Sequence, residues 1–421
     1  MKNAREVAFD ALQKVNLGDG YSNIVLDEML TKSELSAQDK AFATALFYGV
    51  LERKITLDYC IDKFLQKKSK LQNTTREILR IGAYQILFMD RVPDSAAVNE
   101  AVEGIRKTKD VRSAGLVNAI LRKISNGKFD LLYIQGDSPE ITSVKYSIPL
   151  WFVHNMSADY SKETANAFFE ASLEVPPVYI RVNTLKTEKQ AVKDAFEAQD
   201  TVLPYALKAS KIGAIGTNPL FVKGDFFVED LASQICVNEL GARPNERVLD
   251  ICAAPGGKSF SIALGMENKG EIVACDLHAH RCELIKDGAK RLGIDIIKTM
   301  QNDGTKDLPS GEFDRILCDV PCSGFGIIRR KPDIKYKNPD ELKSLPPLQL
   351  SILSNASKAV KKGGTLVYST CTLRKSENEK VADRFLKANV DFKLEKMQTL
   401  MPQDGDTDGF FIAKFIKKGA K

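Results

Sequence analysis

At 421 residues the chain exceeds one ordinary domain, and its 43% hydrophobic and 28% charged residues exclude a disordered or fibrous protein. No apolar run reaches the length of a membrane helix, and MKNAREVAFDALQKV has charges inside its first apolar stretch, unlike a secretory signal. A soluble, cytoplasmic protein is expected. The net charge of +6 is small but uneven: residues 327–375 hold eleven Lys/Arg against three Asp/Glu. Such a basic field suggests a polyanionic partner, nucleic acid first, against the plainer reading of a solvated lysine-rich face.

Residues 1–130 read as a helical bundle. REVAFDALQKV, DKAFATALFYGVLERKI, TREILRIGAYQILFM, SAAVNEAVEGIRK and AGLVNAILRKI repeat apolar residues at spacings of three and four. Residues 131–240 change character, with breaks at Ser138-Pro139, Ile148-Pro149 and Pro176-Pro177. VYIRVNT alternates like a strand, TEKQAVKDAFEA suggests a helix, and PLFVKGDFFVED a further strand or hairpin, so a small α/β module is expected here. From 241 to 421 strands and helices alternate. RVLDI, EIVAC, IIKTM, DRILC and TLVYS are the strands, and KSFSIALGM and LQLSILSNASKAV, the latter closed by Gly363-Gly364, are helices. That rhythm predicts an α/β fold with a mostly parallel, doubly wound sheet, to which FKLEKM and GFFIAKFI add edge strands.

In such sheets ligands bind beyond the carboxyl ends of the strands. Asp250, Asp276, Asp303, Asp319 and Cys371 recur at that edge, where a lone aspartate would be no more than a cap. The first turn, Cys252-Ala253-Ala254-Pro255-Gly256-Gly257-Lys258, lets a ligand approach the backbone closely. Asp276 lies 20 residues after Gly256 and suits a ribose diol. The glycines do not form G-x-G-x-x-G, which disfavours a dinucleotide and favours S-adenosylmethionine. A nicotinamide-dependent oxidoreductase remains the first rival, and a non-catalytic RNA-binding factor the second.

The eight cysteines are dispersed and expected to be reduced. CDLHAHRC (275–282) invites a zinc reading, but His278 and His280 should point to different faces of a following helix, and no metal is expected. Cys318 reads as core. Cys322, in DVPCSG, and Cys371, in YSTCTL, each follow a strand, and the residues alone leave open which one is reactive. Paired thiols beside an aspartate suit methyl transfer to an unreactive carbon. A thiolate adding to carbon 6 of a pyrimidine makes carbon 5 nucleophilic.

CAAPGGK, CDLHAHR, QNDGT, FDRILCDVPCSGFG with RRKPDIK, and YSTCTL with SENE resemble the motif series of the RNA 5-methylcytosine methyltransferases. The N-terminus resembles the NusB-like RNA-binding domain, and the combination is similar to the RsmB (Sun/Fmu) subgroup, which methylates 16S ribosomal RNA. The resemblance implies a Rossmann-like class I S-adenosylmethionine-dependent domain after an RRM-like module and a NusB-like bundle. It implies that residues 252–258, Asp276, Asp303 and Asp319 hold S-adenosylmethionine, with Asp303 near the adenine and Asp319 also on the cytosine ring. It further implies Cys371 as nucleophile and Cys322 in product release. Arg329, Arg330, Lys331 and Lys335 would meet RNA phosphates. Two departures stand out: Glu229 where glutamine is common, and Lys331 where histidine is frequent. A monomer acting on 16S rRNA, free or in a subunit precursor, is expected, with tRNA or another RNA as the alternative substrate.

Overall fold

The helical periodicity of the N-terminal third becomes α1 (Ala4–Asn16), α2 (Ser22–Thr31), α3 (Ala37–Asp62), α4 (Asn73–Phe88), α5 (Asp94–Arg106) and α6 (Ala114–Asn126). The computed structural model describes residues 2–18, 22–65, 71–210 and 213–419. Local chemistry starts the helices. Asn3 and Glu6 form a reciprocal capping box on α1, and the Ser36 side chain accepts the Asp39 N–H at the head of α3. In α6, Val117, Ile120, Leu121 and Ile124 turn one stripe inward, joining Leu46, Phe47, Leu79 and Ile105 in a single core.

This helical unit is longer than the sequence suggests, running to Glu174. Two of the proline breaks open helices instead: Pro139 is the first residue of Pro139–Tyr146, and Pro149 precedes Leu150–Asp159, while Pro176-Pro177 falls before the strand Val178–Val182. Thr56 Oγ1 donates to the Val144 carbonyl at 2.6 Å, and Ser147 Oγ accepts the Ile55 N–H at 2.9 Å. The unit also takes in a distant strap, Ile328–Tyr336. Ser22 Oγ donates to Asp333 at 2.7 Å, and Tyr336 donates to the Leu51 carbonyl at 2.8 Å. Lys54 lies over the Tyr336 ring, 4.8 Å from its centroid.

The second unit comprises residues 175–327 and 337–421. It begins with an antiparallel sheet of β1 (Val178–Val182), β2 (Gln199–Asp200), β3 (Ala206–Ala209) and β4 (Phe226–Val228), in the order β2-β3-β1-β4. PLFVK is not a strand: Asn218 caps it, Pro219 starts it and Gly224 stops it, making a short helix before β4. Arg291 locks this module to the larger sheet's helix, donating to the Phe221 carbonyl at 2.7 Å while its guanidinium lies 3.9 Å from the Phe221 ring centroid.

The larger sheet has seven strands: β5 (Arg247–Asp250), β6 (Glu271–Asp276), β7 (Ile297–Gln301), β8 (Phe313–Asp319), β9 (Val360–Thr370), β10 (Phe392–Leu400) and β11 (Phe410–Lys417). Their order is β10-β11-β9-β8-β5-β6-β7. Pairing is parallel from β9 through β8, β5 and β6 to β7, and antiparallel for the two late strands at the edge. Buried runs such as Leu366–Tyr368 and Ile316–Cys318 give the sheet apolar residues on both faces, as a covered parallel sheet requires. The helix before β9 ends at Ser357, and Gly363-Gly364 falls inside the strand rather than closing the helix.

Candidate active site

Parallel pairing aligns the polar residues that end the central strands. Register sets Asp250 beside Ala274 and Leu317, and Asp319 beside Ser369, which directly precedes Thr370 and Cys371. From β5 the chain turns through Cys252–Gly256 into the helix Gly257–Gly265. Gly256 has φ +111°, and a Cβ there would meet the Phe260 ring at 2.4 Å, so only glycine makes this turn. Ala253 N–H bonds the Cys275 carbonyl at 2.7 Å, fixing the turn against β6.

Beside this turn lies a cavity of about 180 Å³, lined among others by Glu229, Asp250, Ala253, Gly257, Lys258 and Asp319. Asp250 is fully buried. Its Oδ2 accepts the Ser259 hydroxyl at 2.7 Å, its Oδ1 has no partner, and burial pushes its carboxyl up to about 7. Glu229 is likewise raised by burial; one oxygen accepts from Ser261 and the other has no partner. These unsatisfied acceptors beside the small residues Ala253, Ala254 and Gly257 suit a small ligand carrying N–H and O–H donors.

Asp276 ends β6. Arg281 reaches it at 3.0 Å and donates to the Ala254 carbonyl at 2.8 Å, so one guanidinium ties this strand-end carboxylate to the glycine turn. Asp303 lies two residues past β7. Thr305 donates to it twice and Lys306 pairs with it at 3.0 Å, which holds its carboxyl down to about 2.

Asp319 is gripped on both oxygens: Ser369 Oγ donates to Oδ1 at 2.8 Å, and Lys258 Nζ lies 2.7 Å from Oδ2. Three residues on, Cys322 Sγ is 3.2 Å from Cys371 Sγ. The two thiols are unlike. The hydrogen bond between them, followed by burial, raises Cys322, while the same bond lowers Cys371 despite burial. Cys318 is fully buried in the core, as expected.

Two expectations change. Lys335 does not face solvent: it is fully buried in the helical unit, its ammonium 3.2 Å from the Glu52 carbonyl, so it is withdrawn as a phosphate contact. Burial drives its pKa down to about 8. In the same strap Arg329 is also buried, whereas Lys331 is exposed and Arg330 half-buried. His278 precedes the helix Ala279–Leu292 rather than lying on it, and its ring stacks on that of His280 with centroids 5.6 Å apart. Arg281, Gln349, Ser369 and Glu377 were not singled out from sequence. For Ser369 the signal was available, since β8 and β9 in register set it opposite Asp319.

A profile of the 16S rRNA methyltransferase RsmB/F family matches residues 237–416, a NusB family profile residues 2–126, and a ferredoxin-like domain profile of RsmF/B-like methyltransferases residues 148–207. A probable ribosomal RNA small subunit methyltransferase B of Bacillus subtilis is 37% identical, with 99% of both chains covered. The chain belongs to the RsmB family of 16S rRNA methyltransferases. The ribosomal RNA small subunit methyltransferase B of Shigella sonnei is 33% identical, again over 99% of both chains. Among solved structures, PH0851 aligns with TM-score 0.81 and 27% identity over 98% of each chain. NSun6 from Pyrococcus horikoshii shares the fold, with TM-score 0.60 and 24% identity over 65% of this chain. As an RsmB-family protein the chain is an S-adenosylmethionine-dependent methyltransferase, and its helical N-terminus is the family's NusB domain.

Proposed function

We propose that this RsmB-family enzyme methylates carbon 5 of a cytosine in 16S rRNA through a covalent cysteine–cytosine intermediate. The observation that carries this reading is the contact between unlike thiols, Cys371 Sγ 3.2 Å from Cys322 Sγ, beside a doubly held Asp319. Cys371, as thiolate, adds to carbon 6 of the ring. Asp319 hydrogen-bonds the ring, and a proton passing from the Lys258 ammonium through Asp319 Oδ2 to ring N3 offsets the charge that the addition creates. Carbon 5 is then an enamine carbon. S-adenosylmethionine supplies the methyl group, with residues 252–258, Asp276 and Asp303 as its candidate ligands. A water molecule takes the carbon-5 proton, and the carbon–sulfur bond breaks to return Cys371 as thiolate. The N3 proton goes back through Asp319 to Lys258, and Cys322, next to the departing sulfur, assists release.

Arg330 and Lys331 are candidate phosphate contacts; such contacts add affinity without choosing the base. The target must leave its stack to reach the thiols. The test uses undermodified 16S rRNA. Cys371→Ala should abolish turnover, and Cys322→Ala should accumulate a protein–RNA adduct stable to denaturing electrophoresis. An adduct from Cys371→Ala and none from Cys322→Ala would reverse the two roles.

A further inference from the structure

The thiols are held by more than their own contact. Glu377, in SENE, is fully buried. Its Oε2 accepts the Ser323 N–H at 2.9 Å and Gln349 Nε2 at 3.0 Å, and its Oε1 accepts Arg374 at 2.9 Å. Three donors and no acceptor are the pattern of a carboxylate. Ser323 directly follows Cys322, and Glu377 lies six residues after Cys371. One carboxylate therefore joins the two loops that carry the sulfurs. Further bonds run alongside: Gln349 to the Pro321 carbonyl at 2.9 Å, Ser323 Oγ to Thr372 Oγ1 at 2.7 Å, and Asn378 to the Thr372 carbonyl at 2.9 Å.

Burying a charge is costly unless it is paired and fully hydrogen-bonded, as Glu377 is by its three donors. The charge does something a brace does not. The Cys322 thiol is held protonated first by its bond to Cys371 and by burial, and the Glu377 carboxylate adds to this. Cys371 feels a different set: the bond from Cys322 first, then burial, with Asp319, Lys258 and Asp408 as neighbouring charges. Tyr368, whose hydroxyl bonds the Glu377 carbonyl, Arg374, and Lys337, which donates to the Ser323 carbonyl at 2.8 Å, are further titratable groups beside the two loops.

We propose that Glu377 is a positioning residue for methyl transfer: it pins the Pro-Cys loop to the Thr-Cys loop and sets its charge against the Cys322 side of the thiol pair, so that Cys371 is the sulfur that attacks. This rests on Cys371 being the nucleophile. The test is Glu377→Gln in the full chain, read in two ways: the ratio of iodoacetamide labelling at Cys371 and Cys322 as a function of pH, and the kcat for methylation of undermodified rRNA. Loss of the charge should lower the Cys371 preference about tenfold, as a shift of one pKa unit would. It should lower kcat by at least about tenfold, with S-adenosylmethionine binding within about twofold of wild type. The new amide points an N–H at Arg374, so Glu377→Gln/Arg374→Met is read instead if the single variant does not melt like wild type. Either readout staying within about twofold overturns the proposal. Labelling is measured on the free enzyme, so it judges Glu377 whatever the adduct experiment says of the nucleophile.

Discussion

Lys258 Nζ and Asp319 Oδ2 meet at 2.7 Å, an ammonium from the helix after β5 against a carboxylate from the end of β8. Burial works against the ammonium, but Asp319 more than offsets it and holds Lys258 above its ordinary pKa. The two form an ion pair at the lip of the cavity. Lys258→Met leaves Asp319 uncompensated and, in the proposed mechanism, removes the proton donated to ring N3. Its single-turnover methylation rate should fall about a hundredfold or more, in the range of a lost general acid. RNA affinity, measured by filter binding, should change far less.

Arg281 bridges Asp276 and the Ala254 carbonyl. Arg281→Met frees the strand-end carboxylate and the glycine turn to move independently. Losing charge-assisted hydrogen bonds at a partly exposed site should weaken S-adenosylmethionine binding about tenfold by calorimetry, with kcat at saturation nearly unchanged.

Gly326 allows two loops to cross. A Cβ there would lie 1.9 Å from the Gly409 carbonyl oxygen and 2.9 Å from that of Cys371. Both neighbours are backbone and cannot swing aside. Gly326→Ala should pull the Cys371 loop out of place, abolishing adduct formation and lowering the melting temperature by several degrees.

Lys335 makes the helical unit sensitive to alkali in an unusual direction. Its pKa is about 8 when folded, against the ordinary 10.5. Between those values the unfolded chain binds the proton and the folded chain does not, so raising the pH favours folding; below about 8 the full cost of the buried charge, about 3 kcal/mol, is present. Lys335→Met should therefore be the more stable protein at pH 7, and its advantage should shrink as the pH rises toward 10. Melting curves of both proteins from pH 7 to 10 check this; a constant gap contradicts it.

The strand-end residues were legible because apolar runs ending in a polar residue have one meaning in a parallel sheet. Asp250, Asp276 and Asp319 each close a strand as read, and Asp303 follows β7 by two residues. The strap was misread because charge along a sequence does not reveal burial. Lys335 looks like part of a basic run until Glu52, 283 residues away, covers it. Glu377 was hidden for the same reason, since its partners Ser323 and Gln349 are 54 and 28 residues distant. Pro139 and Pro149 punctuate the chain as expected, but proline opens a helix as readily as it ends one, and only packing against neighbouring helices shows which.

The strap also bears on how the protein comes off the ribosome. The helices of this unit are made by residue 174, but the piece that occupies the Leu51 and Glu52 carbonyls is not made until residue 336 has been added. At about 5–20 residues per second, that leaves the helical unit waiting on the order of ten to thirty seconds for its last element. A nascent chain arrested before the strap emerges should carry a more protease-sensitive N-terminal half than one arrested after it. The segment that follows the Pro-Cys turn is thus also the closing stitch of a unit begun more than three hundred residues earlier.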